Sequence, residues 1–255
     1  MTSDAAVDIL WEAMQKGVYF PEILQGKLSL EEGYRAQLGI LARHVAAGEK
    51  QAGWKIALSG EATRQAIGVY APAFGYLLAS SHFSSGQTFQ SDDIFNSAIE
   101  SELCLTLGTR LQGPGVTRAQ VLEAVASLEP AFEIISLRGN LAADMPLGVA
   151  DNIAQWGYVT GDTMAPYPKA LDLAALTVEV KKNGQVEARA RGAEALDDPL
   201  DSIAWLANEL AKYDIALEAG HAVMTGSFTR PLPITKGDQW ETHFASIGTI
   251  TASFV

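Results

Sequence analysis

An α+β fold with a strand-rich body is what this sequence predicts, on three observations. The first fifty residues carry helical periodicity behind a capping box. From Gly53 onward, short β-rich runs alternate with Gly and Pro punctuation. Asn183-Gly184 stands between two alternating runs, a strong short-range hairpin signal. We therefore divide the 255 residues into a helical N-terminal extension, 1–50, and a rolled mixed-sheet body, 51–255.

Each element has its own signal. Asp4 to Met14 holds good helix formers and stops at Gly17. Ser29-Leu30-Glu31-Glu32 is a capping box, and Leu30, Tyr34, Leu38, Leu41 and Val45 behind it predict one buried helical face. Ala98 to Leu107 alternates as a strand, with Ile99, Ser101, Leu103, Leu105 and Leu107 facing a core. Thr117 to Gln120 is a second capping box, predicting a helix through Val121, Leu122, Val125 and Leu128. Pro199 to Lys212 reads as a helix with Ile203, Leu206 and Leu210 inward, and Ala222 to Val255 as three short strands.

Composition narrows the class. With 48% hydrophobic and 19% charged residues, there is ample material for a core. A net charge of -12 argues against nucleic acid or an anionic membrane surface as partner. No apolar run reaches the ~18 residues needed to span a bilayer. Met1-Thr2-Ser3-Asp4 has no signal-peptide character, and the single Cys104 excludes an intrachain disulfide. These features point to a cytoplasmic protein.

Acidic residues carry the chemical signal. Glu100 and Glu102 at i and i+2 project from one face of a strand, where two carboxylates repel unless a cation joins them. A hard divalent ion takes oxygen ligands of this kind; the alternative is a solvated strand face. Glu133, alone within Pro130-Ala131-Phe132-Glu133-Ile134-Ile135, needs a partner if buried: either that same cation or an arginine such as Arg138. Lys55, inside Gly53-Trp54-Lys55-Ile56-Ala57-Leu58, is a proton-transfer group or a snorkelling lysine. Thr225-Gly226 closes a strand and can offer a hydroxyl and close backbone approach to a carboxylate. No dinucleotide fingerprint, Walker loop or nucleophile elbow is present, and the four histidines lack metal-ligand spacing.

Taken in order, Gly53-Trp54-Lys55-Ile56, Gly68 to Gly75, Glu100-Ser101-Glu102, Pro130 to Ile134 and Ala150-Asp151-Asn152 form one pattern. Arg191 to Glu194, Pro199 to Leu206, Met224-Thr225-Gly226 and Lys236-Gly237-Asp238 complete it. The set resembles the hydratase/decarboxylase branch of the fumarylacetoacetate hydrolase superfamily over nearly the whole chain. The resemblance implies that family's mixed β-roll with N-terminal helices, as a homo-oligomer that can associate with a neighbouring pathway enzyme. It implies Mg²⁺ or Mn²⁺ on Glu100, Glu102 and Glu133, and Lys55 as the active-site lysine. Thr225, Gly226 and the backbone near Leu78 would hold a substrate carboxylate.

The expected activity is that of a lyase on short unsaturated 2-oxo acids in aromatic catabolism, of the 2-keto-4-pentenoate hydratase type. One departure bears on it. Many hydratases of the branch carry acids where this chain has Tyr70 and Ala73. That change moves weight toward a 4-oxalocrotonate-type decarboxylase, and leaves a non-catalytic ligand-binding or partner subunit as a further alternative.

Overall fold

The structure is a computed structural model that describes residues 3–161 and 165–255, so Met1 and Thr2 of the leader reading lie outside it. Two helices come first, α1 (Ser3–Gln15) and α2 (Leu30–Ala46). Then follow β1 (Gln51–Ala57), α3 (Glu61–Ile67), β2 (Ala73–Leu78), β3 (His82–Ser84), β4 (Gln87–Phe89) and β5 (Ser97–Leu107). The middle holds α4 (Arg118–Ala124), β6 (Val125–Ser136), α5 (Met145–Ala150), β7 (Gln155–Thr160), β8 (Ala165–Pro166), β9 (Thr177–Lys182) and β10 (Gln185–Arg191). The chain ends with α6 (Gly192–Ala195), α7 (Pro199–Leu210), β11 (Ala222–Met224), β12 (Leu232–Pro233), β13 (Gln239–Phe244) and β14 (Gly248–Phe254).

Both capping boxes form as expected. The Ser29 hydroxyl accepts from the Glu32 N–H while the Glu32 carboxylate accepts from the Ser29 N–H, and Thr117 with Gln120 repeats the arrangement. Asn183 and Gly184 both take positive φ, 53° and 77°, and turn β9 into β10. Three expectations change. Leu30 and Val45 are 48% and 49% exposed, because the fifteen residue steps from one to the other rotate the face by about 60°. Tyr34 and Leu41 of the expected face are buried, joined by Gln37 and Ile40. Helix α4 stops at Ala124, and Leu128 lies on β6, where it pairs with Leu105 of β5, so sheet pairing overrides the helical periodicity. The tail forms four strands, because Leu232–Pro233 adds a short pairing to β5.

Among the described residues, nine strands make one mixed sheet, ordered β2-β1-β11-β5-β6-β7-β3 with β12 on β5 and β8 on β6. Its edge strands β2 and β3 are joined by Ala79–Ser81 alone. An open sheet would hold those edges about 29 Å apart, at about 4.8 Å per strand spacing. The short connection spans at most about 14 Å, so the sheet closes into a roll. Buried Leu77, Cys104, Ala131, Tyr158 and Met224 fill the roll's interior. A second sheet, β10-β9-β13-β14-β4, packs on the outside, where the Ser101 and Thr242 hydroxyls meet at 2.9 Å.

The N-terminal helices share this core. Val7, Leu10, Tyr34 and Ile40 belong to the same buried cluster as Trp54 and Phe74. Gln37, fully buried, donates its Nε2 to the carbonyls of Phe74 on β2 and Val149 on α5, at 2.9 and 2.8 Å. Replacing it by leucine removes a buried donor shared by two carbonyls. Gln37→Leu is expected to lower unfolding stability by about 2–3 kcal/mol in chemical denaturation, and an unchanged midpoint would contradict this bridging role.

Candidate functional site

The site begins with register. Antiparallel pairing of β5 and β6 sets Glu100 directly opposite Glu133, with Glu102 one step along the same face. The ligand oxygens of the three residues lie within 4.8 Å of one another. Glu102 and Glu133 are each 1% exposed, and Glu100 is half-buried. Like charges directly across a ladder are destabilising, and burial compounds the cost. Burial, and then the Glu133 charge, push the Glu100 carboxyl up to about 8, with Lys55 opposing. Burial and both neighbouring carboxylates hold Glu102 well above the ordinary range, opposed by the Gly226 N–H and Lys55.

Lys55 enters from β1, itself 2% exposed. Its Nζ sits 2.9 Å from Glu133 Oε1 but directs its hydrogen bond to the Ile153 carbonyl at 2.8 Å. Glu133 Oε1 is thus paired with the Lys55 charge, and the carboxylate has lone pairs left for a further ligand. The Ile153 carbonyl is presented by an unusual turn. Asn152, Ile153 and Ala154 all take left-handed φ, 57°, 47° and 58°, which for β-branched Ile153 is a strained conformation. Two devices hold the turn. Asn152 Oδ1 accepts from the Tyr76 N–H at 2.8 Å, and its Nδ2 donates to the Tyr76 carbonyl at 3.0 Å. Arg138 donates to the Asp151 carboxylate and carbonyl at 2.6 and 2.7 Å, and to the Gln155 carbonyl at 3.1 Å. Arg138 is therefore the partner of Asp151, and Glu133 is paired by Lys55.

The other expected residues take different places. Gly226 donates its N–H to Glu102 Oε2 at 2.9 Å, at φ 105° and with the Ser59 side chain where a Cβ would stand. Only glycine meets both conditions. The Thr225 hydroxyl donates to the Leu103 carbonyl at 3.1 Å. These two residues support the Glu102 strand and do not line the cavity. Leu78 pairs with Gln51 at the far end of β1, away from Lys55, and does not line it either.

A cavity of about 410 Å³ opens over the carboxylates. Lys55 and the three glutamates form its polar end, and Leu58, Ile135, Leu137, Leu141, Ile153 and Phe228 supply apolar wall. Ser59, Thr63, Ser227, Thr229 and Arg230 add polar groups. None of the four histidines lines this cavity. An oxygen-only donor set and two carboxyls pushed upward by burial and by neighbouring carboxylate charge suit a hard divalent cation. Sequence reasoning missed Ile153, whose contribution is a backbone carbonyl, and the Arg138–Asp151 clamp. The Ala150-Asp151-Asn152 triplet was its one visible trace.

A closed mixed β-roll with a carboxylate cage beside a buried lysine defines a class of small-molecule site suited to anionic, metal-chelating ligands. The chain belongs to the fumarylacetoacetate (FAA) hydrolase family, whose C-terminal model matches residues 44–255. It is 32% identical to the 2-oxo-hept-4-ene-1,7-dioate hydratase of Escherichia coli, over 92% of this chain and 89% of that one. It is 36% identical to the 2-hydroxypent-2,4-dienoate hydratase of Pseudomonas putida, over 82% of this chain and 96% of that one. The 4-oxalocrotonate decarboxylase from Pseudomonas putida G7, complexed with magnesium and adipate, superposes with a TM-score of 0.92 at 29% identity, covering 99% and 97% of the two chains. Among the described residues, no helix is long and apolar enough to cross a membrane.

The raised Glu100 carboxyl predicts a pH dependence of the metal-free protein. The folded state keeps a proton that the unfolded chain loses near 4.5, and loses it only near 8. Stability is then greatest below pH 4.5 for this group and falls as pH rises toward about 8. Thermal unfolding in chelator is expected to show this decline, flattened in Glu100→Gln; equal slopes in the two proteins would refute it.

Proposed function

We propose that this protein is a divalent-metal-dependent lyase acting on short unsaturated 2-oxo acids, of the 2-keto-4-pentenoate hydratase type. The observation that carries this reading is the convergence of Glu100, Glu102 and Glu133 beside Lys55 in the lining of one cavity. The family membership and the named activities of its relatives support it.

Glu100, Glu102 and Glu133 would hold Mg²⁺ or Mn²⁺, and Gly226 would fix the orientation of Glu102 through its N–H. When bound, such a cation supplies Lewis-acid stabilisation to negative charge on the oxygens of a 2-oxo acid. Lys55 Nζ, anchored on the Ile153 carbonyl, balances the substrate carboxylate and holds a proton for the carbon chain as dienol becomes ketone. Ile135, Leu137, Leu141 and Phe228 exclude bulk water from the conjugated chain.

Decarboxylation of a 4-oxalocrotonate-type substrate is the second reading, favoured by Ala73. This residue is 4% exposed and pairs with Ala57 on the cavity wall, two positions from Gly75, which pairs with Lys55. A methyl group stands where many hydratases carry an acid, so this corner offers no proton carrier. The fold match to a 4-oxalocrotonate decarboxylase supports the same reading.

Purified protein with Mg²⁺ is expected to consume the ultraviolet absorbance of 2-hydroxypenta-2,4-dienoate, to stop in chelator and to recover on adding metal. Glu100→Gln and Lys55→Met are each expected to lower kcat/KM by about 10²–10⁴-fold with folding retained. Absorbance that never falls while CO₂ leaves 4-oxalocrotonate selects the decarboxylase. Metal binding without turnover of either acid leaves the non-catalytic subunit.

A further inference from the structure

One surface of the molecule takes no part in the cavity or its chemistry. The return from α3 to β2 carries Tyr70, which is 99% exposed. Both ends of this return are fixed. Gly68 stops α3 at φ 72°, and the Val69 N–H donates to the Arg64 carbonyl at 3.0 Å. Ala73 opens β2, buried and paired with Ala57. Pro72 restricts Ala71 to extended backbone. Tyr70 therefore projects from a short, anchored crest, so burying its ring costs little further ordering of the chain.

A groove of about 410 Å³ adjoins the crest. Ala71 and Pro72 form one lip, while Leu30 and Tyr34 of α2, Trp205 of α7 and Tyr213 line the rest; Tyr70 itself is not in the lining. Tyr34 is buried and stacked on Phe74, ring centroids 4.3 Å apart, which makes the floor aromatic and firmly packed. Leu30 is 48% exposed. The charges around the groove balance. Arg35 pairs with Glu31 at 2.9 Å and lies over the Tyr213 ring, and Lys212 pairs with Glu209 at 2.6 Å. Two acids and two bases leave this patch neutral, on a chain whose net charge is -12.

We infer that this face receives a second copy of the same chain, each copy seating its Tyr70 in the groove of the other. The projecting ring and the groove are neighbours on one patch. A two-fold axis beside Ala71 therefore brings each ring to the other's groove, and the contact closes on itself. Charge selects the same occupant. A strongly acidic chain repels its own copy over most of its surface, and the neutral patch is where two copies meet without that cost. Each seated ring removes about 150–250 Å² from water and presents its hydroxyl to the polar rim, the use for which tyrosine is favoured at interfaces. The pairing is independent of the reaction at the carboxylate cage.

The test is sedimentation velocity of the full chain over a wide concentration range, in wild type, Tyr70→Asp, Tyr70→Phe and Lys212→Glu. Wild type is expected to associate. Tyr70→Asp alters a fully exposed side chain, so folding by circular dichroism is retained, and one association step is expected to weaken at least about 100-fold because both seats are lost at once. Tyr70→Phe is expected to stay within about tenfold of wild type, since the ring is kept. Lys212→Glu makes the patch net acidic and is expected to weaken the step by about tenfold or more. Tyr70→p-benzoylphenylalanine, irradiated, is expected to crosslink between chains to the peptide that holds Trp205 and Tyr213. A wild-type chain that stays monomeric at every concentration, an association unchanged in Tyr70→Asp, or interchain crosslinks confined to other peptides overturns the assignment.

Discussion

Pairing of β5 with β6 places Glu100 and Glu133 on opposite sides of one ladder rung, and much of the molecule answers that single register. Two unit charges about 4.8 Å apart repel by on the order of 3 kcal/mol at the effective dielectric of partly buried sites. Glu102 adds a third carboxylate to the same face, and closure of the sheet leaves Glu102 and Glu133 with 1% exposure each and little screening by water. The protein's own compensation is incomplete. Lys55 offers one positive charge and Gly226 one N–H, and Glu100 and Glu102 still hold their protons far above the usual carboxylate range. A site that is under-neutralised by its own residues but well supplied with oxygen ligands is prepared for a cation.

The position of Lys55 follows from a second constraint, a strained one. Lys55 meets two acceptors at once, the Glu133 carboxylate and the Ile153 carbonyl. That carbonyl reaches Lys55 because three successive residues adopt left-handed backbone. Each such non-glycine residue costs on the order of 1–3 kcal/mol, so the turn persists only because its surroundings impose it. The Asn152–Tyr76 pair ties it to β2, the Arg138 clamp fixes Asp151 and Gln155 on either side, and Gln37 holds the preceding α5. The N-terminal helices thereby reach the chemistry through the backbone they support.

Much of this was legible in the sequence, and the remainder shows what a linear reading omits. Capping boxes, the Asn183-Gly184 turn and the apolar face of β5 are local signals and formed as expected. Glu100, Glu102 and Glu133 stood out because acids among apolar strand residues need an external partner. Leu30 and Val45 misled because spacing marks a stripe while helix rotation and length decide which part of it is covered. The far end of α4 misled because Val125 to Leu128 satisfies either periodicity and the sheet decides. Thr225 and Gly226 are chemically apt for a carboxylate, and Gly226 does bind one; it belongs to Glu102, a partner set by topology alone. Ile153 acts through its carbonyl, which no side-chain pattern can announce.

The balance between water addition and loss of CO₂ comes down to where protons can reside in the cavity. Its apolar middle and hydroxyl groups, Ser59, Thr63, Ser227 and Thr229, can orient a water molecule but do not readily carry a proton near neutral pH. The Ala57–Ala73 corner carries only methyl groups. In the function we propose, proton traffic is therefore concentrated at Lys55 and the carboxylate cage, at one end of the substrate chain. Ketonisation and decarboxylation need charge stabilised and a proton delivered near that end, which these residues supply. Hydration needs, in addition, a water deprotonated further along the chain, and in this protein that demand also falls on Lys55. A single lysine serving both steps must be reprotonated between them, and its Nζ stands 2.9 Å from Glu133 Oε1 of the cage.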